Sequence, residues 1–381
     1  MLTKLKNFLF INTGATQTIA KNTFWLFTGQ ITSRLLRAVI VIYAARALGA
    51  SSWGAFSYAL GISAFLTIFS DIGINALITK ETSRHPELES RYLSTAFFIK
   101  LALLLICAGA VLIATPFITN IPEARALMPI LILVFAFDTL RDLGSALSRA
   151  LEKMEIEAGS GIFANFMITL LGFGALYFYG TSASLAWSYA IGSGLGLISI
   201  AYVLRRHFAH ILKHFTRELV LPILETAWPF GLLGIMGAIM INTDIVMIGW
   251  LRTAAEVGYY SAAQKLILLA YVLPALLASA TFPPLSRLAA GAPDAARQLL
   301  RKSLKLITTA AVATVILGLI FGPTVYRLLF GAEYAPGLEA FTILLFSIII
   351  VYPGTLLGNA LFAYDDSKYF LKFVIISTLG N

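Results

Sequence analysis

The chain has 381 residues, of which 59% are hydrophobic and only 12% charged. Its mean hydropathy is +0.84, whereas soluble domains carry about 25% charged residues, so the composition excludes an ordinary soluble globule and implies a polytopic helical membrane protein. The net charge of +9 would suggest nucleic acid in a soluble chain. Here the basic residues gather in loops instead, and no nucleic-acid partner is expected. A single cysteine, Cys107, leaves no internal disulfide framework and no cysteine-based zinc site.

In chain order, residues 1–21 read as a cytoplasmic or interfacial N-terminal segment with Lys4 and Lys6 and no cleavage-site signature. About eleven apolar spans follow, near 22–46, 55–79, 92–116, 126–150, 157–180, 183–205, 225–250, 256–286, 301–325, 337–362 and from 368 onward. The last stops after about 14 residues where about 20 are needed, so a truncated second lobe and a longer natural chain are expected. Loops on the N-terminal side hold 19 of the 28 basic residues and the opposite loops hold 4. The positive-inside rule then puts the N-terminus in the cytoplasm of a multi-pass plasma (inner) membrane protein.

Gly54-Ala55-Phe56-Ser57-Tyr58-Ala59 returns 204 residues later as Gly258-Tyr259-Tyr260-Ser261-Ala262-Ala263. Both copies open the second span of their half. Six spans precede the second half, so the halves run in the same direction, as a parallel repeat with a cavity between lobes. The expected fold is all-α: an N-terminal six-helix lobe (22–205), a cytoplasmic amphipathic linker (206–224) and an incomplete C-terminal lobe of about five helices (225–381). The linker reads as an amphipathic helix on the membrane surface. A short Gly-rich turn over 48–54 is expected to join the first two spans.

The polar residues inside spans are the candidates for function. Gln30, Arg34 and Arg37 share one face of the first span. A cation at the centre of a membrane helix costs roughly 2.5–3.5 kcal/mol on insertion scales. These arginines either pair with an acid on a neighbouring helix or line a cavity and attract an anion, for which guanidinium suits phosphate or pyrophosphate. Lys265, beside Gln264, either lines the cavity or snorkels outward, and Lys100 is expected to snorkel to the cytoplasmic interface. Asp138, Arg141 and Asp142 are spaced to pair on one helix, and either neutralise one another or bind a coupling cation. Asp244, with Asn242, is open between cation binding and capping a helix interruption; Asp71 is expected to cap one. The four histidines fall in loops and show no third ligand for a metal. No P-loop, nucleophile elbow or metalloprotease motif is present, and no enzyme and no cofactor are expected, beyond a coupling H+ or Na+.

Further short motifs recur in order: Ala45-Arg46-Ala47-Leu48-Gly49, Trp53-Gly54 and Asp71-Ile72-Gly73-Ile74-Asn75 in the first two spans. The seventh and eighth carry Asp244-x-x-x-Ile248-Gly249, Val257-Gly258-Tyr259-Tyr260, Ala263-x-Lys265-Leu266 and Pro284-x-Ser286-Arg287, and Phe330-Gly331-Ala332-Glu333-Tyr334 follows. In this order the chain resembles the polysaccharide transport family, the O-antigen and exopolysaccharide flippases of the multidrug/oligosaccharidyl-lipid/polysaccharide exporter superfamily. The resemblance implies two six-helix lobes in a V with a central cavity, and alternating access. It implies transport of an undecaprenyl-pyrophosphate-linked oligosaccharide, with membrane lipids, polysaccharide polymerase and chain-length machinery as partners. A lipid II flippase or a multidrug/cation antiporter of the same superfamily is the nearest alternative. The rival from another class is a membrane-embedded glycan polymerase or glycosyltransferase, which would need a large outer loop or a catalytic domain.

Overall fold

The computed structural model describes residues 10–363; the eleventh expected span, from 368, lies outside them. Among the described residues the structure is helical without strands: α1 (Ala15–Asp71), α2 (Ile74–Arg84), α3 (Glu89–Ile118), α4 (Pro122–Ala150), α5 (Met154–Phe178), α6 (Ser182–Val203), α7 (Val220–Leu251), α8 (Ala254–Ala270), α9 (Val272–Gly291), α10 (Pro293–Phe330) and α11 (Gly337–Ala363). Eight helical segments among them are long and apolar enough to cross a membrane. The ten expected spans from 22 to 362 all fall on these helices. α4 is not among the eight because Asp138, Arg141 and Asp142 interrupt its apolar run.

Packing divides the chain into two compact units. Among the described residues, one holds 10–48 together with Ala55–Leu251, and the other holds Gly49–Gly54 and 252–363. In the first unit α5 and α6 pair closely and α4 packs on α6, α3 and α2. α7 packs on α2 and α3 and lies with the first unit. Gly231 permits this approach, since a Cβ there would lie 2.6 Å from the Ile72 carbonyl carbon.

The joint between the first two spans is tighter than the expected loop. The backbone stays helical through 48–54 and breaks at Gly49 alone (φ 73°, ψ 171°), a conformation that a Cβ disfavours. The helix restarted at Ala50 needs acceptors for its first N–H groups, and Glu333 supplies one by accepting from the Ala50 N–H at 2.7 Å. Thus the Gly331-Ala332-Glu333-Tyr334 motif closes on the Gly49 break, 283 residues away in sequence.

The 204-residue repeat also appears as reciprocal packing. A Cβ on Gly54 would sit 1.7 Å from the Ala254 carbonyl oxygen, and one on Gly258 would sit 2.0 Å from that of Ala50. Adding 204 to 50 and 54 gives 254 and 258, so each copy of the repeat presents the same small residues to the other. This is the close helix crossing that small residues four apart allow in membranes.

Two expectations change. The linker is not a continuous helix: one turn (Arg205–Phe208) leads through turns to a second at Arg217–Leu219. Side chains of α3 bind its backbone instead, Ser94 Oγ donating to the Ile211 carbonyl (2.5 Å) and Thr95 Oγ1 accepting from the Thr216 N–H (3.1 Å). Phe208, Ile211 and Leu219 pack into the core of the first unit, while Leu212 and Phe215 stay exposed. The 256–286 span is in turn broken in two between α8 and α9, ahead of Pro274. Tyr352 Oη donates to the Ala270 carbonyl there at 2.8 Å, satisfying a backbone group near the break, as hydrocarbon surroundings require.

Candidate functional site

The first half of α1 lies along α5. Tyr43 and Phe173 rings meet at 4.4 Å, Thr169 Oγ1 donates to the Leu36 carbonyl at 3.1 Å, and Lys21 pairs with Glu155 at 3.0 Å. Gly29 faces Ala158 so closely that a Cβ would lie 2.8 Å from the alanine Cβ. Where small residues hold these helices together, the polar side chains beside them border a cavity of about 190 Å³. Its walls include Gln30 and Ser33 of α1, Arg141, Asp142 and Ser145 of α4, and Glu157 and Asn165 of α5.

Arg141 is held by its own helix, Nη1 lying 2.8 Å from Asp138 Oδ1 and Nη2 3.6 Å from Asp142 Oδ1. Arg37 reaches α5 by donating from Nε to Asn165 Oδ1 at 3.1 Å. Asn165 is itself oriented by donating to the Gly161 carbonyl at 2.9 Å. Glu157 accepts from Arg149 Nε at 2.7 Å. Arg34 and Arg37 are both exposed on the protein surface. Neither makes an ion pair with a carboxylate among the described residues.

A second set of charges adjoins Asp142. α1 ends at Asp71, where Ile72 (φ 39°) and Gly73 (φ 86°) break the helix. Asp71 Oδ1 accepts from the Asn75 N–H at 3.3 Å, which is the expected cap. Lys100 does not snorkel to the interface. It is fully buried and donates to Asp71 Oδ1 and Asn75 Oδ1, each at 2.8 Å. A carboxylate and an amide within reach make burial cheaper than extending the chain to water, and Asp71 is already fixed in place as a cap. Asp142 is within electrostatic reach of Arg141, Asp138, Lys100 and Asp71. Arg149, itself held by Glu157, is also within reach of Asp142 and Asp71, so four acids face three bases in this network.

Of the sequence candidates, Gln30, Arg141 and Asp142 border the cavity, Asp138 joins them through Arg141, and Arg37 joins through Asn165. Arg34 is exposed on the same helix and is not part of the cavity wall. Asn242 and Asp244 lie on α7, where the Asn242 amide donates to the Ala238 carbonyl of its own helix at 3.1 Å. Lys265 is half-buried on α8 in the second unit, next to buried Gln264. Sequence reasoning missed Glu157, Asn165, Ser33 and Ser145. The signal was present in Glu157, Gly161, Asn165 and Thr169, a small and polar stripe at every fourth position of an otherwise apolar helix.

This all-helical fold is that of known membrane transporters. The chain superposes on a lipid II flippase, MurJ, in an inward closed conformation, with a TM-score of 0.79 at 17% identity over 93% of this chain and 79% of the other. It also superposes on an inward-facing multidrug resistance MATE family transporter of the MOP superfamily, with a TM-score of 0.76 at 16% identity over 93% and 88% of the two chains. Residues 19–289 match the family described as "Polysaccharide biosynthesis protein", and the chain belongs to that family. Residues 229–381 also match the MatE family. A Shigella flexneri protein described as "Putative O-antigen transporter" is 25% identical over 336 residues, covering 83% of this chain and 78% of that protein. The protein is therefore a multi-pass membrane protein of the transporter superfamily.

Proposed function

We propose that the protein is a flippase that moves an undecaprenyl-pyrophosphate-linked oligosaccharide across the plasma membrane by alternating access, with its N-terminus in the cytoplasm. One observation carries the reading. Two guanidinium groups inside a membrane-spanning helix are left exposed, and the bond that Arg37 makes is to a neutral amide. A cation kept in a membrane segment without a carboxylate partner is costly unless an anion arrives to meet it, and guanidinium pairs with phosphate oxygens in a bidentate fork. The Shigella flexneri relative and the family description make a glycan-bearing anionic lipid the fitting ligand.

In this reading Arg34 and Arg37 meet the pyrophosphate, with Gln30 and Arg141 as further contacts; Lys265, in the second unit, is a separate candidate for contact with the substrate. The network of Asp71, Asp138, Asp142, Lys100 and Arg141, with its acid in excess, takes a coupling H+ or Na+; Asp244 and Asn242 are a second candidate pair. The lipid-linked oligosaccharide and membrane lipids are the partners, and polysaccharide polymerase and chain-length machinery act next to it. The test is complementation of a flippase-deficient strain. Wild type restores surface polysaccharide and Arg34→Ala with Arg37→Ala does not, at equal membrane abundance; full restoration by the double variant rejects the anion role.

A further inference from the structure

We infer that the ends of α5 and α6 form a binding site for the headgroup of an anionic phospholipid, separate from the arginine pair on α1. α5 begins at Met154 and α6 ends at Val203, and both helices are long and apolar enough to span the membrane. They are adjacent and antiparallel, so these two ends lie at one membrane face, at headgroup depth. A cavity of about 430 Å³ opens there, with Lys153, Arg205, Arg206 and His207 in its wall and no acidic residue.

Two nearby carboxylates are already paired, one of them with a residue of the wall itself. Glu89 holds His207 Nδ1 at 2.6 Å and Glu155 holds Lys21 at 3.0 Å. Among the described residues Lys153, Arg205 and Arg206 make no ion pair. Arg205 is placed by the Tyr202 ring, its guanidinium carbon 4.7 Å from the ring centroid, the distance of a cation–π contact. Tyr202 is itself 66% exposed and Val203 57%, so an apolar, aromatic rim faces where acyl chains lie, directly below three unpaired cations.

A phospholipid satisfies both halves of this surface: its phosphate and acidic headgroup take the cations, and its glycerol and acyl region cover the Tyr202–Val203 rim. A free phosphate would use only the first half, and a zwitterionic headgroup brings its own ammonium against the cations. Juxtamembrane cations gain appreciably from anionic lipid, roughly fivefold in binding per side chain.

The test is native mass spectrometry of the whole protein released from bilayers that mix phosphatidylglycerol with phosphatidylcholine. Wild type should retain phosphatidylglycerol selectively. Lys153→Gln with Arg205→Gln and Arg206→Gln should lower that retention about tenfold or more, while Arg297→Gln with Arg301→Gln, an equally exposed basic pair on α10, should leave it unchanged. Thermal unfolding in detergent confirms that the triple variant is folded; if it is not, Arg206→Gln alone is read for a reduction of about fivefold. Equal loss in both control and test variants, equal retention of phosphatidylcholine, displacement by inorganic phosphate, or preference for a polyprenyl pyrophosphate over phosphatidylglycerol would each overturn the assignment.

Discussion

Arg37 and Lys100 show two ways of keeping a cation inside a membrane protein. Lys100 is buried and compensated by Asp71 and Asn75. Removing one partner of such a pair strands the other, so Lys100→Met should lower stability by about 3 kcal/mol or more. Lys100→Met with Asp71→Asn should recover much of that loss, as thermal unfolding in detergent would show. A double variant no more stable than the single one would contradict the pairing. Arg37 is exposed and bonded to the neutral Asn165, which leaves charge available for a ligand. Arg37→Ala should therefore cost transport about tenfold or more, from loss of a charge-assisted contact, and change thermal stability little. Asn165→Ala should cost transport less, because it only frees the guanidinium. The anomaly of Arg34 and Arg37 was legible from spacing alone. The fate of Lys100 was not, because its partners lie 25 and 29 residues earlier, on either side of the break between α1 and α2.

At the scale of helices, tolerance depends on which glycines meet backbone. Gly54 and Gly258 each face a carbonyl oxygen of the other repeat copy, whereas Gly109 and Gly174 have open space around their Cβ positions. Gly54→Ala and Gly258→Ala should each cost about 1–3 kcal/mol through forced separation of backbones, and Gly109→Ala and Gly174→Ala should cost almost nothing. Thermal unfolding of the four variants tests this, and equal losses in all four would contradict the close crossing. Glu333→Gln should weaken the support of the Gly49 break, since an amide oxygen accepts the Ala50 N–H less strongly than a carboxylate. The repeat and the positions of the ten spans were readable because both rest on composition and order. The linker was misread as a helix because its apolar stripe serves the core through Phe208, Ile211 and Leu219. The hydrogen bonds that set its path come from Ser94 and Thr95, a contact between segments more than a hundred residues apart.

For the whole molecule, the distribution of basic residues gives a topology that can be measured. With Cys107 replaced by serine, a cysteine placed at Lys153 or Arg205 should react with a membrane-impermeant reagent only after the cell is opened. One at Arg46 or Arg252 should react in intact cells, and the reverse pattern would invert the orientation. The fold class was legible at this scale because apolar length and polarity pattern decide it. The cavity beside Gln30 was only half legible: α1 and α4 announced themselves through charge, while α5 contributed Glu157 and Asn165 from a stripe that reads equally well as packing.

The most direct measurement is translocation of a fluorescent pyrophosphate-linked oligosaccharide in vesicles that contain the purified protein. Wild type should move the pyrophosphate-linked lipid, and move a neutral analogue of the same glycan and tail about tenfold more slowly or worse. Arg34→Ala with Arg37→Ala should abolish the difference. Equal rates for charged and neutral lipid in the wild type, or an undiminished preference in the double variant, would contradict the anion role of the two arginines.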